Sequence, residues 1–177
     1  AERVFDNNII YKGETPTYDS IGIKAEFASL GVTTKIRNNT IWNMNAPGLA
    51  NGDGWGMTLY DHANTEVSNN IAMDCSGGNT GGGIDWGTFS LSTSQNNLTS
   101  DTTASEGTGG IVSKNAIDQF VSIVDGAEDL HLKSGADAIG AGFDLGATNS
   151  EAEEDINGSN RDALSQAWDI GAHQFKM

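Results

Sequence analysis

The chain has little cysteine, proline or positive charge. Its 177 residues include one Cys, two Pro and nine Lys or Arg against 24 Asp or Glu, which gives a formal net charge of -15. A single cysteine, Cys75, excludes an intrachain disulfide, so packing must hold the fold together. The negative charge argues against nucleic acid or an anionic membrane as a partner, because both attract positive surfaces. No apolar run reaches about 18 residues, so we expect no membrane insertion.

The composition that remains is typical of a turn-rich β protein. The chain contains 23 Gly, and 37% of its residues are hydrophobic while 19% are charged. These proportions fit a narrow core surrounded by polar loops.

An Asn-Asn pair recurs within short apolar segments. The pairs are Asn7-Asn8, Asn38-Asn39, Asn69-Asn70 and Asn96-Asn97. Their first members are separated by 31, 31 and 27 residues. Periods of this size indicate a repeat architecture, in which neighbouring units bury each other's apolar faces.

Each pair is predicted to form a corner between two short strands. Asn tolerates the left-handed backbone region better than other residues with a side chain. Corners that stack roughly 4.8 Å apart can join their side-chain amides by hydrogen bonds. We therefore predict an asparagine ladder of Asn8, Asn39, Asn70 and Asn97.

A second strand recurs between the pairs and begins with Gly in each repeat. It starts at Gly22, Gly56 and Gly83. Strand alternation predicts two inward rows, Ile23/Met57/Ile84 and Ala25/Leu59/Trp86. It likewise predicts two outward rows, Lys24/Thr58/Asp85 and Glu26/Tyr60/Gly87.

These patterns resemble the repeats of the right-handed parallel β-helix proteins of the pectate-lyase-like superfamily, over residues 1 to roughly 125. The expected fold is all-β, a solenoid of about three to four coils at residues 1–125 with a C-terminal cap at residues 126–177. The cap is similar to the closing segment of many secreted bacterial β-helix proteins at residues 129–142, 155–161 and 168–175. Asp137, Gly140 and His173-Gln174 depart from that segment, whose usual residues there are Pro, Asp and Tyr-Glu.

The beginning of the chain offers no cap for the first coil. An uncapped coil presents unpaired backbone groups and an apolar cross-section to water. We expect a preceding chain segment, a partner or self-association to cover that end.

The resemblance implies an extracellular or cell-surface protein that meets polysaccharides. Two functions are open: a noncatalytic scaffold, adhesive or carbohydrate-binding piece of a larger secreted bacterial protein, or a lyase or glycoside hydrolase acting on an acidic polysaccharide. Catalysis requires a base with a charge-neutralising cation, or two carboxyl groups about 5 to 9 Å apart. The outward rows hold few carboxylates, which favours the noncatalytic function.

Candidate residues lie on the outward rows and in the nearby loops. Asp85, Asp61 and Lys24 are the candidate catalytic residues, although Asp61-His62 also reads as a turn and Asp85 as a solvated residue. Trp55, Tyr60, Trp42 and Asp53 are the candidate sugar-binding residues, because an indole with one wet edge can stack on a pyranose. Trp86 should face the core, and Trp168 should seal the end of the solenoid.

An acidic loop near the end of the chain is a candidate calcium site. Glu153, Asp155 and Asn157 match the first half of a calcium-binding loop, but Leu164 stands where a closing Glu is expected. In the same loop, Arg161 is predicted to pair with Asp155 or Asp169. Without such a metal, no cofactor is predicted.

Overall fold

The computed structural model describes residues 2–11, 19–26, 32–46, 52–60, 65–78, 80–87, 93–146, 153–164 and 166–176. Its strands are β1 (Glu2–Asp6), β2 (Ile9–Tyr11), β3 (Ser20–Glu26), β4 (Thr33–Arg37), β5 (Thr40–Trp42), β6 (Asn45–Ala46), β7 (Gly54–Tyr60), β8 (Thr65–Ser68), β9 (Ile71–Met73), β10 (Ser76–Gly77), β11 (Gly81–Asp85), β12 (Thr93–Gln95), β13 (Leu98–Thr99), β14 (Phe120–Val124) and β15 (Ala127–Leu132). A short helix, α1 (Ala116–Gln119), precedes β14, and 3₁₀ turns lie at Thr103–Glu106 and Asp162–Leu164. Among the described residues, no helix has the length and apolarity needed to cross a bilayer.

Parallel strands from successive repeats lie side by side. The first sheet has the order β1-β4-β8-β12, the second β2-β5-β9-β13 and the third β3-β7-β11. A small parallel pair joins β6 to β10, and β14 and β15 form an antiparallel hairpin. The prediction of an all-β fold with parallel sheets is confirmed.

The register of the first sheet follows the Asn-Asn period. Phe5 pairs with Ile36, Ile36 with Val67, and Val67 with Ser94. These partners are 31, 31 and 27 residues apart, the same intervals as between the Asn pairs. Each of the four repeats therefore adds one strand to the first and second sheets, and each of the first three adds one to the third, as expected when neighbouring units bury each other.

The two residues of each Asn pair have different roles. The first, at positions 7, 38, 69 and 96, adopts positive φ angles of 55°, 53°, 57° and 50°. The second forms the ladder: the Nδ2 atoms of Asn8, Asn39 and Asn70 each donate to the next Oδ1, at 2.9, 2.9 and 3.0 Å. The ladder gives hydrogen-bond partners to the side-chain amides of its Asn residues, which are buried at Asn39, Asn70 and Asn97 and exposed at Asn8.

The core of the stack is built from the inward rows of the three sheets. Ile36 and Val67 of the first sheet, Ile41 of the second and Met57 of the third are fully buried in one apolar cluster. Trp86 joins this cluster, and its indole nitrogen donates to Thr103 O at 2.7 Å. The core thus lies between the sheets.

The second sheet is buried on both faces. Ile41 and Ala72 point into the core between the sheets, whereas their neighbours Trp42, Ile71 and Met73 belong to a separate apolar cluster. Leu98 of β13 extends that second cluster, and residues after the repeats complete it, namely Ala116, Phe120, Leu130, Leu132, Ala136, Ala138 and Ile170. The C-terminal part of the chain therefore covers the outer face of the second sheet.

Beyond this cluster, a C-terminal segment that includes Ala141, Phe143 and Arg161 contacts the Asn corners. Asn96 Nδ2 donates to Ala141 O at 2.8 Å, and Asn69 exchanges hydrogen bonds with the Phe143 backbone at 2.7 and 2.8 Å. Arg161 reaches the first corner, where its guanidinium donates to Asn7 Oδ1 at 3.3 Å. Residues of this segment therefore contact Asn corners of the first, third and fourth repeats.

Residues directly after β13 cover the edge of the third sheet at β11. Asp101 Oδ2 accepts from Gly83 N at 2.7 Å, and Thr103 Oγ1 accepts from Ile84 N at 3.1 Å. The edge strand β11 thus finds side-chain partners for two of its backbone N–H groups, which limits pairing with other chains.

Candidate functional site

The outer face of the third sheet is the surface that faces away from the core on β3, β7 and β11. Lys24 pairs in register with Thr58, and Thr58 with Asp85. Glu26 pairs in register with Tyr60. Lys24 and Tyr60 are exposed, Asp85 and Glu26 are partly exposed, and Thr58 is buried. Four of the five side chains named here are therefore accessible to a ligand.

A row of glycines places Trp55 on this same face. A Cβ atom on Gly56 would lie 2.7 Å from Ala72 Cβ, so Gly56 faces the core, as does the adjacent Met57. Two successive inward positions break the strict alternation of the strand. Trp55 therefore shares the outward direction of Thr58 and Tyr60, although strict alternation from Met57 would turn it inward.

The Trp55 indole is held by a chain of side-chain hydrogen bonds. Its Nε1 donates to Thr80 Oγ1 at 3.3 Å, and the Thr80 hydroxyl donates to Asp53 Oδ1 at 2.7 Å. The ring lies against Gly82, where an added Cβ would come within 3.0 Å of it. The half-buried indole is thus fixed in orientation.

Tyr60 and Asp85 form the second polar pair of the outer face. The Tyr60 hydroxyl donates to Asp85 Oδ2 at 2.6 Å, and the backbone N–H of Gly87 donates to Asp85 Oδ1 at 3.0 Å. The hydrogen bond to Asp85, together with burial, raises the pKa of Tyr60 to about 12. Tyr60 therefore keeps its proton at neutral pH and cannot serve as a base there.

Two of the candidate catalytic residues, Lys24 and Asp85, lie on the outer face and have polar partners there. Lys24 Nζ pairs with Glu26 Oε1 at 2.8 Å, and Asp85 accepts from Tyr60 and Gly87. Asp61 lies outside the described residues, as does His62.

Trp42 is in the interior instead of on a sugar-binding surface. It is 7% exposed, belongs to the cluster beneath the C-terminal residues, and donates from Nε1 to Asp74 Oδ2 at 3.1 Å. A buried indole cannot stack on a pyranose ring, so Trp42 is corrected to a packing residue.

The acidic loop is organised by backbone hydrogen bonds. Asp155 Oδ1 accepts from Asn157 N at 2.9 Å and Ser159 N at 2.7 Å, while Oδ2 accepts from Gln174 N at 3.1 Å. Burial raises the pKa of Asp155, but these N–H donors and Arg161 outweigh it and lower the pKa overall. Asp155 is thus a structural acceptor, the role expected of a carboxylate with several N–H donors.

Calcium gains no further support from the neighbours of Asp155. Glu153 Oε2 lies 3.5 Å from Asn160 Nδ2, and Asn157 Oδ1 lies 3.4 Å from His131 Nε2. In the part of the chain that the structure describes, no three His, Cys, Asp or Glu residues are arranged to hold a metal ion.

Arg161 is buried and bound mainly to neutral oxygens. Its guanidinium donates to Gln174 Oε1 at 3.1 Å and to Gly171 O at 2.9 Å, in addition to Asn7. Burial lowers the pKa of Arg161 to about 10, although Asp155 and Asp169 both oppose that shift. The two acids predicted as partners therefore act through their field, while the direct hydrogen bonds go elsewhere.

A histidine cluster is the feature that the sequence reasoning missed. His131 Nδ1 lies 2.6 Å from Asp129 Oδ1, and the rings of His131 and His173 meet edge to face at 4.7 Å. His173 Nδ1 accepts from Leu132 N at 3.1 Å. The Asp-x-His spacing places Asp129 and His131 on one face of β15 and could have revealed the pair, but His173 comes from a distant segment.

Trp168 belongs to a concavity of about 390 Å³ in the closing segment. Its indole is buried and donates to Asp162 Oδ1 at 2.8 Å, and the Arg161 guanidinium lies 5.7 Å from the ring centroid. Asp144 also lines the concavity, and its Oδ1 accepts from Gly146 N at 2.7 Å. Trp168 thus packs beside Arg161 and Asp162 within the C-terminal part of the chain.

These features were compared with known proteins at three levels. No protein-family model matches the chain. No curated protein and no solved structure matches it either. The chemistry of the outer face of the third sheet is therefore the basis on which a function can be assigned.

Proposed function

We propose that the chain is a noncatalytic carbohydrate-binding module built as a right-handed parallel β-helix of three to four coils. Successive strands of each sheet come from successive repeats, and the corners share one ladder, which is the arrangement such a helix requires. We further propose that it acts outside the cell, as a piece of a larger secreted bacterial protein that meets polysaccharides.

The observation that carries the proposal is two pairs of an aromatic side chain and a carboxylate, one towards each end of β7. Trp55 is joined to Asp53 through Thr80, and Tyr60 is joined to Asp85 directly. An indole and a phenol offer flat apolar surfaces on which sugar rings can stack. Carboxylates beside them accept hydrogen bonds from sugar hydroxyl groups. The hydrogen bonds to Thr80 and between Tyr60 and Asp85 hold these groups in place before a ligand arrives.

The same contacts argue against catalysis by this face. A glycosidase needs one carboxyl group as acid and a second as base or nucleophile. Asp85 is instead engaged by Tyr60 and Gly87, and Asp53 by Thr80. Tyr60 holds its proton, and Lys24 is paired with Glu26. The site is therefore suited to holding a glycan without cleaving it.

The test is a glycan-binding measurement with matched aromatic variants. Trp55→Ala and Tyr60→Ala should each weaken binding about tenfold, since an aromatic contact contributes about 1 kcal/mol. Tyr11→Ala is the control, because Tyr11 is 53% exposed but lies on the second sheet. Equal losses in all three variants, or no binding in any, would refute the proposed face.

Turnover should be followed in the same samples, by reducing ends and by absorbance at the wavelength of an unsaturated uronate. Cleavage that Asp85→Asn abolishes, with folding unchanged, would overturn the noncatalytic function in favour of a lyase or hydrolase.

A further inference from the structure

The polar hydrogens of the two aromatic side chains on the outer face of the third sheet are engaged within the protein. The Trp55 N–H is directed to Thr80, and the Thr80 hydroxyl to Asp53. The Tyr60 hydroxyl is likewise directed to Asp85. A carboxylate oxygen offers two acceptor sites, and the partly exposed Asp85 uses one on each oxygen, so it can still accept from a ligand.

The outer face of the third sheet is also negatively charged. Asp53, Asp85 and Glu26 contribute three carboxylates, and the ammonium of Lys24 is paired with Glu26 at 2.8 Å. The whole chain adds a formal charge of -15. A ligand that approaches this face therefore meets a negative potential both locally and at long range.

We propose that the outer face selects glycans with uncharged, hydroxyl-bearing sugar residues and rejects uronate residues. This inference rests on the proposed function and names its ligand class. A neutral sugar that stacks on Tyr60 supplies hydroxyl donors to Asp85, and one that stacks on Trp55 lies beside Asp53 without charge repulsion. A uronate supplies a carboxylate, which is an acceptor without a proton and repels the same side chains.

The experiment compares pairs of ligands in which one member carries ionised carboxylates and the other carries an uncharged group in their place. Oligogalacturonate and its fully methyl-esterified form share length and linkage, and alginate oligomers with their carboxyl-reduced forms make a second pair. Neutral oligomers of glucose, mannose, xylose and galactose complete the panel. Binding is measured by calorimetry in EDTA and again with calcium.

The expected result is that a neutral member binds, that Trp55→Ala weakens it, and that each free acid binds at least about tenfold more weakly than its neutral counterpart. Salt between 0.05 and 0.5 M should narrow this ratio, because added ions screen repulsion between exposed charges. The double variant Asp53→Asn with Asp85→Asn should reduce the ratio between the two affinities at low salt as well, because it removes two of the repelling charges.

Two adverse results separate this inference from the function it rests on. A free acid that binds as tightly as its neutral counterpart, with or without calcium, and depends on Trp55 would overturn the selectivity while leaving the module a glycan binder. Silence across the whole panel would refute the proposed function itself.

Discussion

The same substitution, Asn to Ala, should lower the free energy of unfolding by different amounts at two positions of the asparagine ladder. Asn70 Oδ1 accepts from Asn39 N and Nδ2 at 3.1 and 2.9 Å. Its Nδ2 donates to Ile36 O, Ser68 O and Asn97 Oδ1, at 2.8, 3.1 and 3.0 Å. Asn70→Ala therefore removes five contacts from a fully buried position.

The magnitude follows from which groups lose their partner. A typical hydrogen bond contributes about 1 kcal/mol, and a buried group left unpaired costs about 1 to 3 kcal/mol. Asn39 Nδ2 keeps Phe5 O as an acceptor, and Asn97 Oδ1 keeps the N–H of residue 70. The Asn39 N–H loses the acceptor Asn70 Oδ1. We expect Asn70→Ala to lower the free energy of unfolding by about 3 to 5 kcal/mol.

Asn8→Ala is the matched control at the exposed end of the ladder. Its Nδ2 donates to Asp6 O at 3.1 Å and to Asn39 Oδ1 at 2.9 Å, and solvent can replace both contacts. This variant should cost about 1 kcal/mol or less. Urea unfolding followed by circular dichroism measures both, provided that the m-value stays constant. Equal costs for the two variants would refute the ladder as a buried, stabilising network.

Two further predictions concern the backbone and the histidine cluster. Gly56→Ala should lower the free energy of unfolding by about 2 kcal/mol or more, because its Cβ would lie 2.6 Å from the backbone oxygen of Gly83. Gly126 is the control: its φ is 76° but nothing lies within 4 Å of an added Cβ, so Gly126→Ala should lower it by about 1 kcal/mol. Similar losses for the two variants in urea unfolding would contradict the steric argument. Burial, reinforced by the neighbouring histidine, lowers the pKa of His173 from 6.5 to about 4, so its stabilising contribution is complete above pH 6.5 and is lost as the pH falls through 4. His173→Gln should flatten the unfolding free energy across that range, and an unchanged pH profile would show that His173 is not the group responsible.

The periodicity of the sequence predicted the sheets because each repeat repeats the same local chemistry. Asn tolerates a positive φ, and all four leading Asn residues of the pairs adopt one. Apolar residues at fixed offsets, such as Ile36 and Val67, are buried in register. These are short-range properties that recur at each step of the stack.

The fate of Trp42 could not be predicted in this way. Its local sequence is compatible with an outward position, and it does point away from the core between the sheets. Residues such as Phe120 and Ile170, far along the chain, then cover it. Burial by a distant segment cannot be predicted from the local sequence pattern. The contact between His131 and His173 could not be predicted for the same reason.

The candidate site was predicted in part, for a related reason. Tyr60 and Asp85 lie in adjacent strands, and alternation places both on the outward side. The hydrogen bond between them and the coupling of Trp55 to Asp53 through Thr80 depend on side-chain rotamers and loop paths. Sequence spacing alone does not determine these.

The path of the closing segment has a consequence for how the molecule comes apart. Stacked repeats that touch only their neighbours can fray from one end, one unit at a time. Here Arg161 and Asn7 are joined across 154 positions, and Phe143 and Asn69 across 74. Contacts between residues so far apart in the sequence are expected to form late and to slow folding. Once formed, they tie the first repeat to the last, so the array should unfold as a single cooperative unit.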